Sequence, residues 1–470
     1  MNKVFKNSAI FLSIVLIFLY SCQKDKFLLS QDAYIDIQAD TIRFDTVFTS
    51  LGSFTQSFKI INNNKQKILL STIKLMGGTN SAYHLNVNGL AASEIHDMEI
   101  AANDSVYVFV SVTINPTAAQ LPFIVNDSIL ISYNGNNKLI QLEAFGKNAH
   151  FLRNQKIMGN VVWTNDLPYV ILGQLQIDST ATLIIQRGCN IYAHADAAIL
   201  VDGTLQVFGE KDKEVIFTGD RLDKSYRDLP ASWPGFYFRN SSKNNQFNFS
   251  VIKNATSAIT LFEPSINSSP KLILKQCIID NASECGIFSN NSNLTIDNTL
   301  ISNCGQNVKI QRGGFYEFTN CTMVSYSTLF SFHSNPVLQL SNYDLQSSSS
   351  IIPDIRARFK NCIFWGDDNV NQDEIFVTKE GSGVFDILFD HCLLKNSIDP
   401  PNSISNACIL NQNPLFDSVD ISNNVFVFRT NKDPLAPGID MGTTTSFNVD
   451  LDNNPRISGI ATDIGCYEKQ

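Results

Sequence analysis

The chain is short of charge. Only 17% of its 470 residues are Asp, Glu, Lys or Arg, and 44 acidic side chains outnumber 35 basic ones for a net charge of −9. No basic excess is available to neutralise a phosphate backbone, which excludes nucleic acid as a partner. Apolar residues reach 44%, too many for a disordered chain, which pairs low hydrophobicity with high charge. Trp is scarce, with 3 against 33 Phe. Gly-His-Gly, Gly-x-Ser-x-Gly and nucleotide-binding Gly-rich loops are all missing. His84, His96, His150, His194, His333 and His391 have no pairwise spacing suited to zinc. No cofactor or metal is implied.

What is present begins with an address. Lys3 and Lys6 precede an apolar run from Ala9 to Tyr20, too short for a span of about 20 residues and of the length of a secretory h-region. No comparable run follows. The run ends Leu19-Tyr20-Ser21-Cys22, which resembles a bacterial lipobox and implies lipidation of Cys22. Residues 1–21 then read as a signal peptide and 22–31 as a tether. Cleavage before Cys22 removes two Lys and no acid, leaving a net charge of −11. Two or more acyl chains are needed for a stable hold. Gln23-Lys24-Asp25-Lys26 resembles the Lys/Asp signal that sends some Gram-negative lipoproteins to the outer face of the outer membrane, with the periplasmic face as the alternative. Six triplets, among them Asp40-Thr41-Ile42, Asp45-Thr46-Val47 and Asp178-Ser179-Thr180, resemble the O-glycosylation triplet of exported proteins.

Residues 32–149 alternate with period two. Ser105 to Ile114 is the clearest run, joined by Ser57–Ile61, Ile68–Leu75, Asp127–Tyr133 and Leu139–Leu142. Asn62-Asn63-Asn64, Gly77-Gly78 and Asn134-Gly135-Asn136 supply turn chemistry. About seven strands in this length predict a two-sheet sandwich. The pattern resembles the immunoglobulin-like module of the hydin and abnormal-spindle type, which implies a spacer.

Residues 150–470 repeat. Segments centred on Val251, Cys277, Thr299, Cys321, Cys362 and Cys392 align, their centres stepping along the chain by 26, 22, 22, 41 and 30. The two equal steps set the repeating unit. A unit this short, rich in β-branched and small side chains, predicts coiled β-rungs that bury a continuous core only when stacked. Ten to twelve rungs are expected, with the long step between Cys321 and Cys362 counting as two. Asn281, Asn303 and Asn396 each fall four positions after their centre, which predicts amide ladders. Gly173-Gln174-Leu175-Gln176-Ile177 returns as Gly203-Thr204-Leu205-Gln206-Val207. These stretches resemble the opening rungs of right-handed parallel β-helix repeat proteins. Asp450-Leu451-Asp452-Asn453-Asn454-Pro455-Arg456 and Thr462-Asp463-Ile464-Gly465-Cys466-Tyr467-Glu468 resemble the closing rung of that group, often called choice-of-anchor Q, where Ala usually stands at Cys466. The expected fold is therefore all-β: an immunoglobulin-like sandwich, then a right-handed parallel β-helix.

Function is less legible. The Asp367-Asp368 pair follows Trp365-Gly366 in what reads as a loop. Asp220-Arg221 and Arg239 have the residue types of a lyase but read as loop residues. In Trp233-Pro234-Gly235-Phe236-Tyr237-Phe238, alternation sends Phe236 and Phe238 to one side and Tyr237 to the other. With no catalytic set in view, the expectation is a non-enzymatic, lipid-anchored outer-membrane protein whose helix binds a glycan or protein. The alternatives are a polysaccharide lyase or glycoside hydrolase, and a purely structural surface protein. Nine cysteines remain beside Cys22. Stacked side chains point in parallel, so buried thiols are expected, with Cys285 and Cys304 the best-placed pair for a disulfide.

Overall fold

A computed structural model describes residues 26–48, 52–115, 123–224, 226–344, 353–367, 371–430 and 432–470. Cys22 and the signal segment lie outside the described residues. The chain divides into two compact units between Asn148 and Ala149.

The first unit packs two five-stranded sheets. One runs in the order 36–37, 56–62, 104–112, 83–87, 90–91, and the other 41–48, 136–147, 123–133, 68–75, 94–100. Strand Asp104–Val112 shows why the sequence folds this way. Val106, Val108, Val110 and Val112 are buried while Tyr107 and Phe109 face water, as period-two side chains must. The alternation missed strands 36–37, 41–48, 83–87, 90–91 and 94–100. Residues 27–31 of the expected tether lie against the sandwich: the Leu28 N–H donates to Lys67 O at 2.9 Å and Asn134 Nδ2 to Leu28 O at 2.7 Å.

The second unit is a parallel β-helix, with the right-handed crossovers that parallel strand connections strongly favour. Its strands fall into three lanes joined by in-register parallel pairing. The middle lane holds ten, at 160–163, 182–186, 204–208, 245–248, 272–275, 294–297, 314–319, 355–360, 385–390 and 404–406, so ten rungs stack at about 4.8 Å each. Inward residues form continuous columns. Phe318, Phe359 and Phe389 are neighbours on successive rungs, with centroids 5.0 and 4.9 Å apart, a spacing that favours ring–ring contact. Phe236 and Phe238 point inward and are fully buried, leaving Tyr237 outward.

Register corrects four expectations. Val251 pairs with Ile278, so the equivalent of Cys277 is the buried Ser250 and the first segment is shifted by one position. Thr322 pairs directly with Ile363, so the long step from Cys321 to Cys362 is one rung with long loops, not two rungs. Gly203–Val207 does not repeat Gly173–Ile177: Leu175 pairs with Ile199 and Leu183 with Leu205, so the two stretches lie in different lanes. The C-terminal segment does not close the coil. Beyond the last rung strand at 409–410 it returns along the outside of the third lane. Leu451, Ile464, Cys466 and Phe428 there cover outward Leu300, Val324, Ile363, Trp365 and Leu393 in a second apolar core.

Side-chain amides hold that tail. Residues before the lane-three strands take the left-handed conformation: Gln276, Asn298, Asn320 and Asn361 have φ of 52, 45, 51 and 52°, where Asn is tolerated better than most non-glycine residues. Asn361 Nδ2 donates to Asn320 Oδ1 at 2.9 Å and to Thr443 O at 2.7 Å, Asn298 Nδ2 to Val449 O at 3.0 Å, and Gln276 Nε2 to Asp450 O at 3.0 Å. Each such bond contributes about 1 kcal/mol net.

All nine described cysteines are free thiols and all but Cys408 are buried. Cys285 and Cys304 are not bonded; the Cys304 thiol donates to Ser302 O instead. Cys321, Cys362, Cys392 and Cys408 precede strands that pair rung to rung, so their side chains stack in one column. Burial pushes the Cys189 thiol up to about 11 and those of Cys277, Cys285 and Cys466 to about 12.

Candidate functional site

Where the returning tail stands away from the third lane, it leaves a groove of about 430 Å³. The floor comes from strands 250–253, 278–280 and 300–302, whose alternation turns Lys253, Ile278, Asp280, Leu300 and Ser302 outward. Each strand ends in a left-handed Asn, namely Asn254, Asn281 and Asn303, with φ of 62, 59 and 50°. Asn281 Nδ2 donates to Asn254 Oδ1 at 2.8 Å and Asn303 Oδ1 accepts from the Tyr326 N–H at 3.2 Å. The expected ladder of Asn281, Asn303 and Asn396 does not form: Asn281 pairs with Asn254, which the corrected register brings beside it, and Asn303 turns to the Tyr326 backbone. Asn396 bonds to the backbone of Ile375.

Asp280 is half-buried on this floor. It accepts from Ser302 Oγ at 2.7 Å and lies 3.9 Å from Lys253 Nζ. The opposite wall carries Phe426 and Phe428. Their rings lie nearly parallel to each other and to Tyr326 behind them, with centroids 5.9 to 6.2 Å apart and interplanar angles of 11 to 22°. Arg429 closes one end, held by Asp452 through bonds of 2.5 and 2.8 Å and lying 4.6 Å over the Tyr467 ring. The Asp452 hydrogen bond raises the Arg429 guanidinium above its ordinary range, so it is a fixed cation. Asn424 Oδ1, also lining the groove, is buried without a protein partner. Hydrogen-bonding side chains facing stacked rings form a surface that holds hydroxyls and C–H faces together.

The residues singled out in sequence do not assemble here. Asp220 accepts from His194 Nδ1 at 2.6 Å, Arg221 pairs with Asp223 at 2.8 Å, and Arg239 pairs with Asp202. All three lie outside strands, as read; Arg221 and Arg239 are partly exposed and ion-paired, and Asp220 is hydrogen-bonded to His194. Asp367 is buried and its Oδ2 accepts from the N–H and Oγ of Ser327 at 2.8 and 2.6 Å; Asp368 lies outside the described residues. Among the described residues no group of three or more His, Cys, Asp or Glu is arranged to hold a metal ion.

A buried ionic cluster was invisible in sequence because its members, His333, Glu374 and Lys395, stand on separate segments with no shared spacing. His333 Nε2 lies 2.9 Å from Glu374 Oε1, the Val337 N–H donates to Glu374 Oε2 at 3.0 Å, and Lys395 Nζ is 3.7 Å from the same carboxylate. Lys395 also donates to Gly366 O at 3.0 Å and Asn371 O at 3.3 Å. With side chains 0 to 3% exposed, this cluster ties loops together away from solvent.

No protein-family model matches the chain, and no curated protein matches it. Among solved structures, the chain aligns with a family 123 glycoside hydrolase from Clostridium perfringens at 11% identity over 24% of its own length, TM-score 0.17, and spans about a quarter, 26%, of that enzyme. It also aligns with the human CEP192 ASH/PapD-like domain 7 at 8% identity over 27% of its length and 92% of that domain, TM-score 0.17. At these scores neither likeness bears on fold or activity.

Proposed function

We propose that this chain is a lipoprotein of the outer membrane, anchored through lipidated Cys22, whose β-helix binds a glycan without turning it over. The observation that supports binding is the groove: a floor lined by the amides of Asn254, Asn281 and Asn303, facing the parallel rings of Phe426 and Phe428. Lipidation and surface placement rest on the N-terminal pattern alone. A glycan array probed with the mature chain tests the reading, and retention of an oligosaccharide that Phe426→Ala weakens by ~10-fold, the loss of about one stacking contact, is expected. Wild-type affinity in Phe426→Ala refutes the groove as the site. Cys22→Ser tests the anchor: it releases the protein from the membrane fraction or leaves it unprocessed, and unchanged maturation and membrane association refute lipidation there.

A second reading, a polysaccharide lyase or glycoside hydrolase, is favoured by the two carboxylates of the groove, Asp280 on the floor and Asp228 in its lining. Reducing ends or unsaturated products released from any polysaccharide, and lost in Asp280→Asn, establish it and overturn the non-enzymatic reading.

A further inference from the structure

We infer that the outer face of the middle lane carries a separate site for an acidic, uronate-containing glycan. Asn293, Phe315 and Arg356 are register partners on three successive rungs, and Thr295, Glu317 and Arg358 form the next column. The residues between them, Leu294, Tyr316 and Ala357, are buried, so both columns face outward. They floor a concavity of about 480 Å³ beside Ser268 and Pro270.

The side chains divide the work. Phe315 is 52% exposed, an apolar plate at the centre of a polar face. Arg356 lies 5.9 Å from its ring centroid, within cation–π reach. Arg358 is engaged by Asp386, whose carboxyl it holds below the usual range. Arg356 is exposed; its register partner on the next rung, Asp386, lies within its field but bonds to Arg358, and among the described residues Arg356 itself makes no ion pair, which leaves its fork to face a carboxylate. Asn293 Oδ1 is buried at the edge of the concavity without a protein partner, and an unpaired buried acceptor draws a donor. A uronate supplies all three complements on one ring: a C–H face for Phe315, a carboxylate for the planar guanidinium of Arg356, and hydroxyls for Asn293 and Glu317. A neutral sugar leaves Arg356 unused. A phosphate polymer offers no C–H face for Phe315. This site shares no residue with the aromatic-walled groove and does not depend on it.

Titration calorimetry of the mature chain with an oligogalacturonate, its methyl ester and dextran sulfate tests the inference. Binding of the oligogalacturonate is expected, weakened by salt and by at least ~10-fold in Phe315→Ala and in Arg356→Gln, each with wild-type thermal unfolding. Arg356→Lys keeps the charge but not the fork and falls between. Phe426→Ala in the other groove leaves this binding unchanged. The inference is overturned by absent binding, by wild-type affinity in Phe315→Ala and Arg356→Gln, or by loss in Phe426→Ala. Equal binding of the methyl ester or preference for dextran sulfate overturns the uronate assignment.

Discussion

Glu374→Ala tests whether the buried cluster organises the far rungs. In the native chain the Glu374 carboxylate is fully buried and serves His333 Nε2, the Val337 N–H and Lys395. Removing it leaves His333 Nε2 and the Val337 N–H without their buried acceptor and takes the carboxylate from beside the Lys395 ammonium. Breaking a buried ion pair by deleting one partner costs about 3–5 kcal/mol. Lys395 keeps its carbonyl partners Gly366 and Asn371, so the low end of that range is expected. The cost of Lys395→Met is smaller, because Glu374 retains His333 and the Val337 amide. The measurement is the urea midpoint of the second unit by far-UV circular dichroism. Hydrogen exchange at the Ile375–Thr378 strand accompanies it, since stability in stacked arrays is partly local. A midpoint and exchange pattern equal to wild type refute the reasoning. If the double variant loses as much as the two singles together, the residues are not coupled.

Gly235→Ala is expected to destabilise by about 2–4 kcal/mol, since Gly235 has φ of +113° and an added Cβ lies 1.8 Å from Ser257 O; a melting temperature equal to wild type contradicts the turn geometry. Thiol titration of denatured, unreduced mature protein is expected to find nine free groups, with Cys408 alone reacting quickly in the native state, and a count of one rejects the rung register. Burial raises the Glu468 carboxyl to about 7 from 4.5. Between those values the folded chain binds more protons than the unfolded one, so this group's contribution favours folding as pH falls from 7 toward 4.5 and is lost as pH rises through 7. Glu468→Gln therefore makes the slope of urea midpoint against pH less negative over that window, and an unchanged slope counts against it.

Much of this architecture is local and so legible in the residues. Alternation along Ser105–Ile114 sorts one strand into two faces, because successive side chains must point opposite ways. The recurrence of Cys277, Thr299 and Cys321 at equal steps marks a stacked rung, because only a repeating unit places small residues over one another. The recurring Asn marked the turns but not their bonds: of Asn281, Asn303 and Asn396, only Asn281 pairs with another turn Asn, Asn254, which the slip at Val251 had hidden. A segment that alternates on both sides of a position fits either register until its neighbour's inward residues are known.

The sites had no such signature. The groove exists because residues 412–470 turn back over outward Leu300, Ile363 and Leu393, and so Phe426 meets Tyr326 from a distant part of the chain. The uronate face joins Asn293, Phe315 and Arg356, whose two spacings along the chain are unequal because the intervening loops differ in length. The composition and periodicity of the chain by themselves determined that it is β throughout and that its second part stacks. Which side chains share a surface was decided only by tertiary structure, because loop length sets sequence distance while rung pairing, at about 4.8 Å per step, sets distance in space.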